Sequence, residues 1–244
     1  MTEAVLYDFT DGLARSTLNR TDARNALNIA MCEALVAATR RAREDGARCL
    51  LVRALGPVFC AGADLKERQG MGDDAVRARR LKSFAAYDAL ERLPMPAIAV
   101  VEGAAVGSGV EIAAACDFII ATPAASFRTP EALWGTVGAT QRLPRIIGKR
   151  LAKDLMFTGR ALGAEEAREA GLVSRVVTAE ALEATIADIT ATILKAPPAA
   201  MALAKRCVDE GLERDPRGAL ATEILAIEES LAAAEWRKKM QQFG

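Results

Sequence analysis

Three observations predict an α/β fold for this chain. Between residues 49 and 122, short apolar runs alternate with segments of helical periodicity. Two of those runs, CLLVRAL and AIAVVEG, are apolar almost throughout, as strands of a parallel sheet buried on both faces are. After residue 139 helical patterns dominate, with one short strand, GLVSRVV, among them.

Element by element, AVLYDF and LARSTLN flank Asp11-Gly12, the signature of a two-residue hairpin turn. Asn25 is the expected cap of a helix carrying Leu27, Met31, Leu35 and Ala38 on one face. The strand at 49–55 leads into a glycine-bearing loop, GPVFCAGADLKE, and an amphipathic helix over 73–93 stopped by PMP. AIAVVEG, a short helix ending near Cys116 and the strand DFIIAT follow. Helices are then expected over TQRLPRIIGKRLAKDLMFTG, AEEAREAG, 179–195, PPAAMALAKRCVDEG and 216 to about 242. Residues 1–190 read as the core carrying the active site. Residues 191–244 read as a helical region that packs back or docks a neighbouring subunit. No internal repeat or flexible linker is visible.

Composition removes several kinds of chemistry. The chain has 244 residues, 32 basic and 32 acidic, and no histidine. Imidazole catalysis, histidine-ligated metals and histidine triads are therefore excluded, which leaves acid–base work to carboxylates, Lys, Tyr or Cys. No metal site is expected. Balanced charge gives nucleic acid no overall basic surface to meet. The five cysteines are scattered without a CxxC and read as reduced, buried thiols. No signal peptide and no apolar run of membrane-spanning length is seen, so a cytoplasmic location without membrane contact is expected.

Two strand-to-helix junctions carry the candidate chemistry. CAGADLKE sets Ala61, Gly62 and Ala63 after one strand, and AVGSGVE sets Gly107, Ser108 and Gly109 after another. Backbone N–H groups at such places are free to hold negative charge, including a carbonyl oxygen whose charge grows during reaction. The same glycines also fit tight turns alone. As a dinucleotide fingerprint GSGVEI fails, because its sixth residue is Ile112.

Glu111 stands in an otherwise apolar helix start, and Glu131 follows SFRTP beyond the strand DFIIAT. Both can return to one end of a sheet and share a water molecule as an acid–base pair. Alternatively, Glu111 complements the helix dipole, and Glu131 opens a turn after Pro130 or pairs with Arg128. Trp134 and Phe127 read as pocket wall or core. Arg77, Arg79, Arg80 and Lys82 read as a solvated helix face, as do Lys238 and Lys239, which could alternatively meet phosphate.

The segments TLNRTDARNALN, FCAGADLKE, GAAVGSGVEIAAACDFIIAT, FRTPEALWGTVGATQRLPRIIGKRLAKDLMFTGR and AEEAREAGLVSRVV, in this order, resemble the enoyl-CoA hydratase/isomerase (crotonase) superfamily. The resemblance runs over residues 16–177. It implies a ClpP/crotonase spiral of ββα turns with a C-terminal helical trimerisation region, assembled as a trimer or a dimer of trimers. It also implies an acyl-CoA thioester substrate and no separate cofactor. By the family's pattern, the Ala63 and Ser108 N–H groups form an oxyanion hole. Ala63, Asp64, Leu65, Lys66 and Ser108 line the CoA path, and Arg24 approaches its adenosine end.

The family's hydratases carry both glutamates, here Glu111 and Glu131, whereas its isomerases keep the later one. The implied reaction is syn addition of water to a trans-2-enoyl-CoA. Alternatives are a Δ3,Δ2-enoyl-CoA isomerase, a hydratase of branched, cyclic or aromatic enoyl-CoA, and a non-catalytic acyl-CoA-binding paralogue. Departures from the pattern are Ser108 in place of glycine, a shortened GTVGATQR stretch, an unusual C-terminus and Arg15 in an apolar strand.

Overall fold

The computed structural model describes residues 3–233, 236 and 237. β1 (Val5–Thr10) and β2 (Leu13–Leu18) form the expected antiparallel hairpin. Asp11 and Gly12 turn it, both in the left-handed region that a type I′ turn demands. The next helix, α1 (Ile29–Glu44), is capped by Asn28, whose side chain accepts the Met31 N–H at 2.9 Å. Asn25 is not the cap. It is buried at positive φ, where its amide donates to the Leu55 and Val58 carbonyls at 2.9 Å and accepts from the Arg20 N–H.

A repeated path follows. β3 (Cys49–Ala54) passes to β4 (Val58–Cys60), then α2 (Leu65–Arg68) and α3 (Asp73–Glu91). β5 (Ala97–Val101) passes to β6 (Ala104–Val106) and α4 (Ser108–Ala114). β7 (Phe118–Ala121) passes to β8 (Ser126–Arg128), a 3-10 turn at Glu131–Trp134, α5 (Arg142–Ile147) and α6 (Lys149–Thr158). The first strand of each pass joins one sheet and the second joins another. The chain then runs through β9 (Leu162–Gly163), α7 (Ala164–Glu169), β10 (Arg175–Val176), α8 (Ala179–Lys195), α9 (Pro198–Gly211) and α10 (Pro216–Ala233). The sheet orders are β1-β2-β3-β5-β7-β10 and β4-β6-β8-β9. This is a spiral of ββα turns with helices at its C-terminal end. The repeat lies in the backbone path, which is why no repeat of side chains announces it.

The apolar runs are explained by burial on both faces of the large sheet. Leu50, Val52, Ala97, Ala99 and Val101 face the main core with Leu35, Leu90 and Ile112. Their neighbours Cys49, Leu51, Ile98, Val100 and Ile120 face the opposite way, against Leu182, Ile186 and Ile193 of α8. Alternation sends successive side chains to opposite faces, so a strand covered on both sides has no polar phase.

α9 and α10 pack against each other and leave Val208, Leu212, Leu220, Ile224, Leu225 and Leu231 exposed. Among the described residues, no single helix is long and apolar enough to cross a membrane. Four of the cysteines are buried and Cys207 is partly so, all with free thiols. Arg15 lies on β2, one strand in from the sheet edge, and pairs with Asp8 of the edge strand β1 at 2.9 Å. Lys238 and Lys239 lie outside the described residues.

Candidate active site

The two junctions meet because their strands pair. β4 and β6 run parallel, with Cys60 opposite Ala105, and so end on the same side. Gly109 lies so close to the first junction that a Cβ there would sit 2.5 Å from the Cys60 carbonyl oxygen. Gly62, at φ +97°, faces the Val106 carbonyl. The close approach requires glycine on both sides.

Each junction keeps one N–H aimed away from its own scaffold. Ala63 bridges Leu27 in parallel fashion: the Leu27 N–H donates to Gly62 O (2.7 Å) and the Asp64 N–H to Leu27 O (2.9 Å). That pattern uses the neighbours of Ala63 and turns the Ala63 N–H to the other side. Ser108 is the first residue of α4, where no helical carbonyl is available to its N–H. The Ser108 hydroxyl turns to the buried Tyr87 phenol.

Asp64 is occupied structurally. Its carboxylate caps α2 through the Lys66 and Glu67 N–H groups and pairs with Arg20 at 3.0 Å. Burial pushes its carboxyl up, but Arg20 and the two N–H groups outweigh that and hold it below the usual range. Leu65 and Lys66 are exposed at the start of α2. Arg24 is also exposed, and its carbonyl accepts the Ala61 N–H at 3.1 Å, beside the first junction.

Glu111 occupies the fourth position of α4 and is 8% exposed. Its Oε2 accepts from Arg142 Nη1 at 2.9 Å. Arg142 also pairs with Glu91 of α3, and its guanidinium lies 5.8 Å from the Tyr87 ring centre. Burial raises the Glu111 carboxyl above its ordinary value; Arg142 pulls it down and Glu91 pushes it up.

Glu131 opens the 3-10 turn after Pro130. Its carboxylate is wedged between two glycines. A Cβ on Gly107 would stand 2.6 Å from Oε1, and one on Gly138 3.0 Å from Cγ. Gly107 is both the N-cap of α4 and a residue at φ +50°, so the Glu131 carboxylate lies against the base of the helix that carries Glu111. Among the described residues, Glu131 Oε2 is buried without a hydrogen-bond partner. Burial raises this carboxyl too, its own backbone N–H lowers it, the charge of Glu111 raises it and Arg80 lowers it.

The site departs from the residue-by-residue expectations in three ways. The carboxylate that finds an arginine is Glu111, not Glu131. Arg128 instead donates to the Gly159 carbonyl. The supposed solvated face on α3 is divided: Arg77 and Lys82 are exposed, while Arg79 is 3% exposed and pairs with Glu67 at 2.7 Å. Arg80 donates to Val137 O and Thr136 Oγ1, and thereby ties down the loop that brings Gly138 to Glu131. Phe127 is core, as expected, whereas Trp134 is 71% exposed.

Arg142 and Tyr87 carry no signal of their own in the sequence, and Arg80 reads there only as part of a solvated face. The available signal was general: a carboxylate in an apolar helix needs a buried cation, but only tertiary packing says which.

Two buried carboxylates and two outward N–H groups thus meet at the end of the small sheet. Such a set can move protons on a substrate whose carbonyl oxygen gains charge. Among the described residues, no group of histidine, cysteine or acidic side chains gathers as metal ligands would.

The family model of enoyl-CoA hydratase/isomerase matches residues 8–244. The mouse mitochondrial enoyl-CoA hydratase domain-containing protein 2 is 38% identical, over 95% of this chain and 81% of its own length. The crystal structure of enoyl-CoA hydratase from Bacillus anthracis superposes with a TM-score of 0.94 at 35% identity, covering 98% of this chain and 95% of that one. A hydratase-like protein of Thermobifida fusca, solved in complex with acetoacetyl-CoA, superposes at 0.85 with 26% identity, covering 95% and 96% of the two chains.

Proposed function

The chain belongs to the enoyl-CoA hydratase/isomerase family, and we propose that within it this protein is an enoyl-CoA hydratase. Its substrate would be a trans-2-enoyl-CoA, and its product the 3-hydroxyacyl-CoA formed by syn addition of water. The observation that carries this reading is the pair of buried carboxylates with unequal surroundings: Glu111 on Arg142, and Glu131 with an unpartnered Oε2.

The unequal surroundings divide the labour. Glu111, held as a carboxylate by Arg142, orients a water molecule and takes its proton as the water oxygen bonds to C3. The displaced π electrons move through C2 to the thioester oxygen, which the Ala63 and Ser108 N–H groups receive as an enolate. Glu131, buried and without a cationic hydrogen-bond partner, carries a proton and delivers it to C2. The water has then supplied OH to C3, and a proton has reached C2. A proton passed from Glu111 back to Glu131 restores the starting state. Each donor of the oxyanion hole is worth about 10²–10³ in rate, and general acid–base help about 10²–10⁴.

CoA is part of the substrate, and the scheme uses no other cofactor. The exposed apolar residues of α9 and α10 support a homo-oligomer, a trimer or a dimer of trimers, since an uncovered patch of this kind marks a contact surface.

The deciding experiment follows loss of enoyl absorbance with a panel of straight, branched, cyclic and aromatic 2-enoyl-CoA thioesters, alongside 3-enoyl-CoA. Hydration of at least one 2-enoyl-CoA is expected. Double-bond migration in 3-enoyl-CoA without hydration would instead make the protein an isomerase. Binding of CoA thioesters without turnover of any would leave it a non-catalytic paralogue. Sedimentation equilibrium checks the assembly, and a monomer at micromolar concentration would refute it.

A further inference from the structure

Arg142 is held on three sides. Its Nη1 donates to Glu111 Oε2 at 2.9 Å, its Nη2 pairs with Glu91 Oε2, and its guanidinium lies over the Tyr87 ring. The two carboxylates differ in setting: the Glu111 side chain is 10% exposed and that of Glu91 is 45% exposed. They also come from different helices, α4 and α3, while Arg142 opens α5. One cation therefore joins three elements and is divided between a buried anion and a half-exposed one.

We propose that Arg142 is a positioning residue for Glu111, and that Glu91 tunes it by competing for the same guanidinium. This rests on the hydratase reading for its catalytic consequence, though not for its electrostatic one. A planar guanidinium fixed through two nitrogens sets the direction of Glu111 Oε2 and leaves Oε1 for water. Its charge favours the ionised form of Glu111, against burial, which favours the protonated one. Glu91 takes back part of that effect, both by holding Nη2 and by its own negative charge.

The charged and titratable groups facing this cluster are Arg142 from α5, Glu91 and Tyr87 from α3 with Arg92 at its end, Cys60 from β4, Cys32 from α1, Asp209 from α9, and Glu131 from the turn after β8. The Tyr87 phenol and the Cys60 thiol are both raised by burial and stay neutral across the working range. The acidic neighbours whose charge acts on Glu111 are thus Glu91 and Glu131. Exchanging Glu91 for Gln leaves Arg142 wholly to Glu111, whereas exchanging Arg142 for Gln leaves Glu111 buried without a cation.

The two substitutions must therefore move Glu111 in opposite directions. In protein labelled with carbon-13 at glutamate Cδ, the Glu111 resonance is identified by its loss in Glu111→Gln and titrated by NMR. Arg142→Gln is expected to raise its midpoint by about 1–3 pH units, the span that an opposite charge at this distance controls. Glu91→Gln is expected to lower it. In turnover, the acidic limb of the kcat profile should follow the same two directions. In Arg142→Gln, at pH values below the raised midpoint, kcat should fall about tenfold for each pH unit by which that midpoint has moved, while KM changes far less.

Arg142→Lys keeps a charge without the fork and should return the midpoint towards the wild-type value. A Glu111 midpoint unmoved by both Arg142→Gln and Glu91→Gln overturns the proposal, as does a kcat that rises when Arg142 is removed. The NMR titration needs no turnover, so a protein that hydrates nothing would refute the hydratase reading while still deciding the role of Arg142. If Arg142→Gln fails to fold, the surface substitution at Glu91 decides alone: a raised or unchanged Glu111 midpoint there overturns the proposal.

Discussion

Glu111 is gripped at its tip, and Glu131 is confined along its sides. Glu111 projects from a regular helix and meets Arg142 through a directed, charge-assisted hydrogen bond. Glu131 sits on an irregular turn, and its carboxylate is placed by what cannot be there: side chains at Gly107 and Gly138. A tip contact controls charge as well as direction, whereas lateral confinement controls direction alone and leaves the carboxyl to its desolvation. Two glutamates of equal intrinsic acidity can thereby be given a base's role and an acid's role.

The largest test removes the carboxylates. Glu111→Gln and Glu131→Gln are each expected to lower kcat by about 10²–10⁴-fold, the usual worth of a positioned acid or base. The double variant should lose little more than the worse single one if the two act on one transition state. Rates of the purified variants on the preferred 2-enoyl-CoA give the answer, and near-normal turnover in either single variant would break the proposed division.

Steric confinement is tested next. Gly107→Ala places a methyl against Glu131 Oε1 at a φ that L residues rarely adopt, so both the carboxylate and the start of α4 must shift. A displacement of about 1 Å at a reacting group costs on the order of 10²-fold, so a kcat loss of that size is expected. Gly138→Ala meets the flexible stem of Glu131 at 3.0 Å, with no positive φ to satisfy, and should cost less. Equal losses at the two glycines would show that the backbone of the turn, rather than its contact with Gly107, decides where Glu131 lies.

What the sequence disclosed follows from the same contrast. The large sheet was legible because Leu50–Val52 and Ala97–Val101 are buried on both faces and leave a continuous apolar signal. The small sheet was not. Its strands β4, β6 and β8 span three residues each, too short for a period to show, and β9 spans two. Asn25 reads as a helix cap because a buried amide that ties two loops has the same sequence signature as a cap.

Glu111 stands out in the sequence because a carboxylate among small and apolar residues is costly without a purpose, and Glu131 by its place just beyond the next strand, DFIIAT. Arg142 does not stand out. It lies 31 residues beyond Glu111 in the chain and is brought to it by the packing of α5 on α4. Arg79 looked solvated because its helix is rich in charge, and nothing local announces that Glu67 and the Leu27 carbonyl wait beneath it.

The smallest effect concerns stability, and here the two glutamates should part company. Burial raises Glu131 in the folded state. A carboxyl raised above its unfolded value binds its proton more tightly when folded, so its contribution is full below about pH 4.3, the ordinary value. That contribution is lost as pH rises through the folded value. Above that window the wild type holds a buried anion without a hydrogen-bond partner on Oε2, and Glu131→Gln replaces it with a neutral amide of nearly the same shape. Urea unfolding at fixed protomer concentration should therefore show Glu131→Gln gaining on the wild type between pH 4.5 and pH 7.5. Glu111 is raised as well, so the sign of its own linkage is the same. Its amide, however, leaves the partly buried Arg142 with Glu91 as its one remaining anion, and stranding half of a buried pair is destabilising. Glu111→Gln should accordingly gain less over the same interval, or lose. If it gained as much as Glu131→Gln, the grip of Arg142 would carry no free energy, and the difference between the two carboxylates would be one of geometry alone.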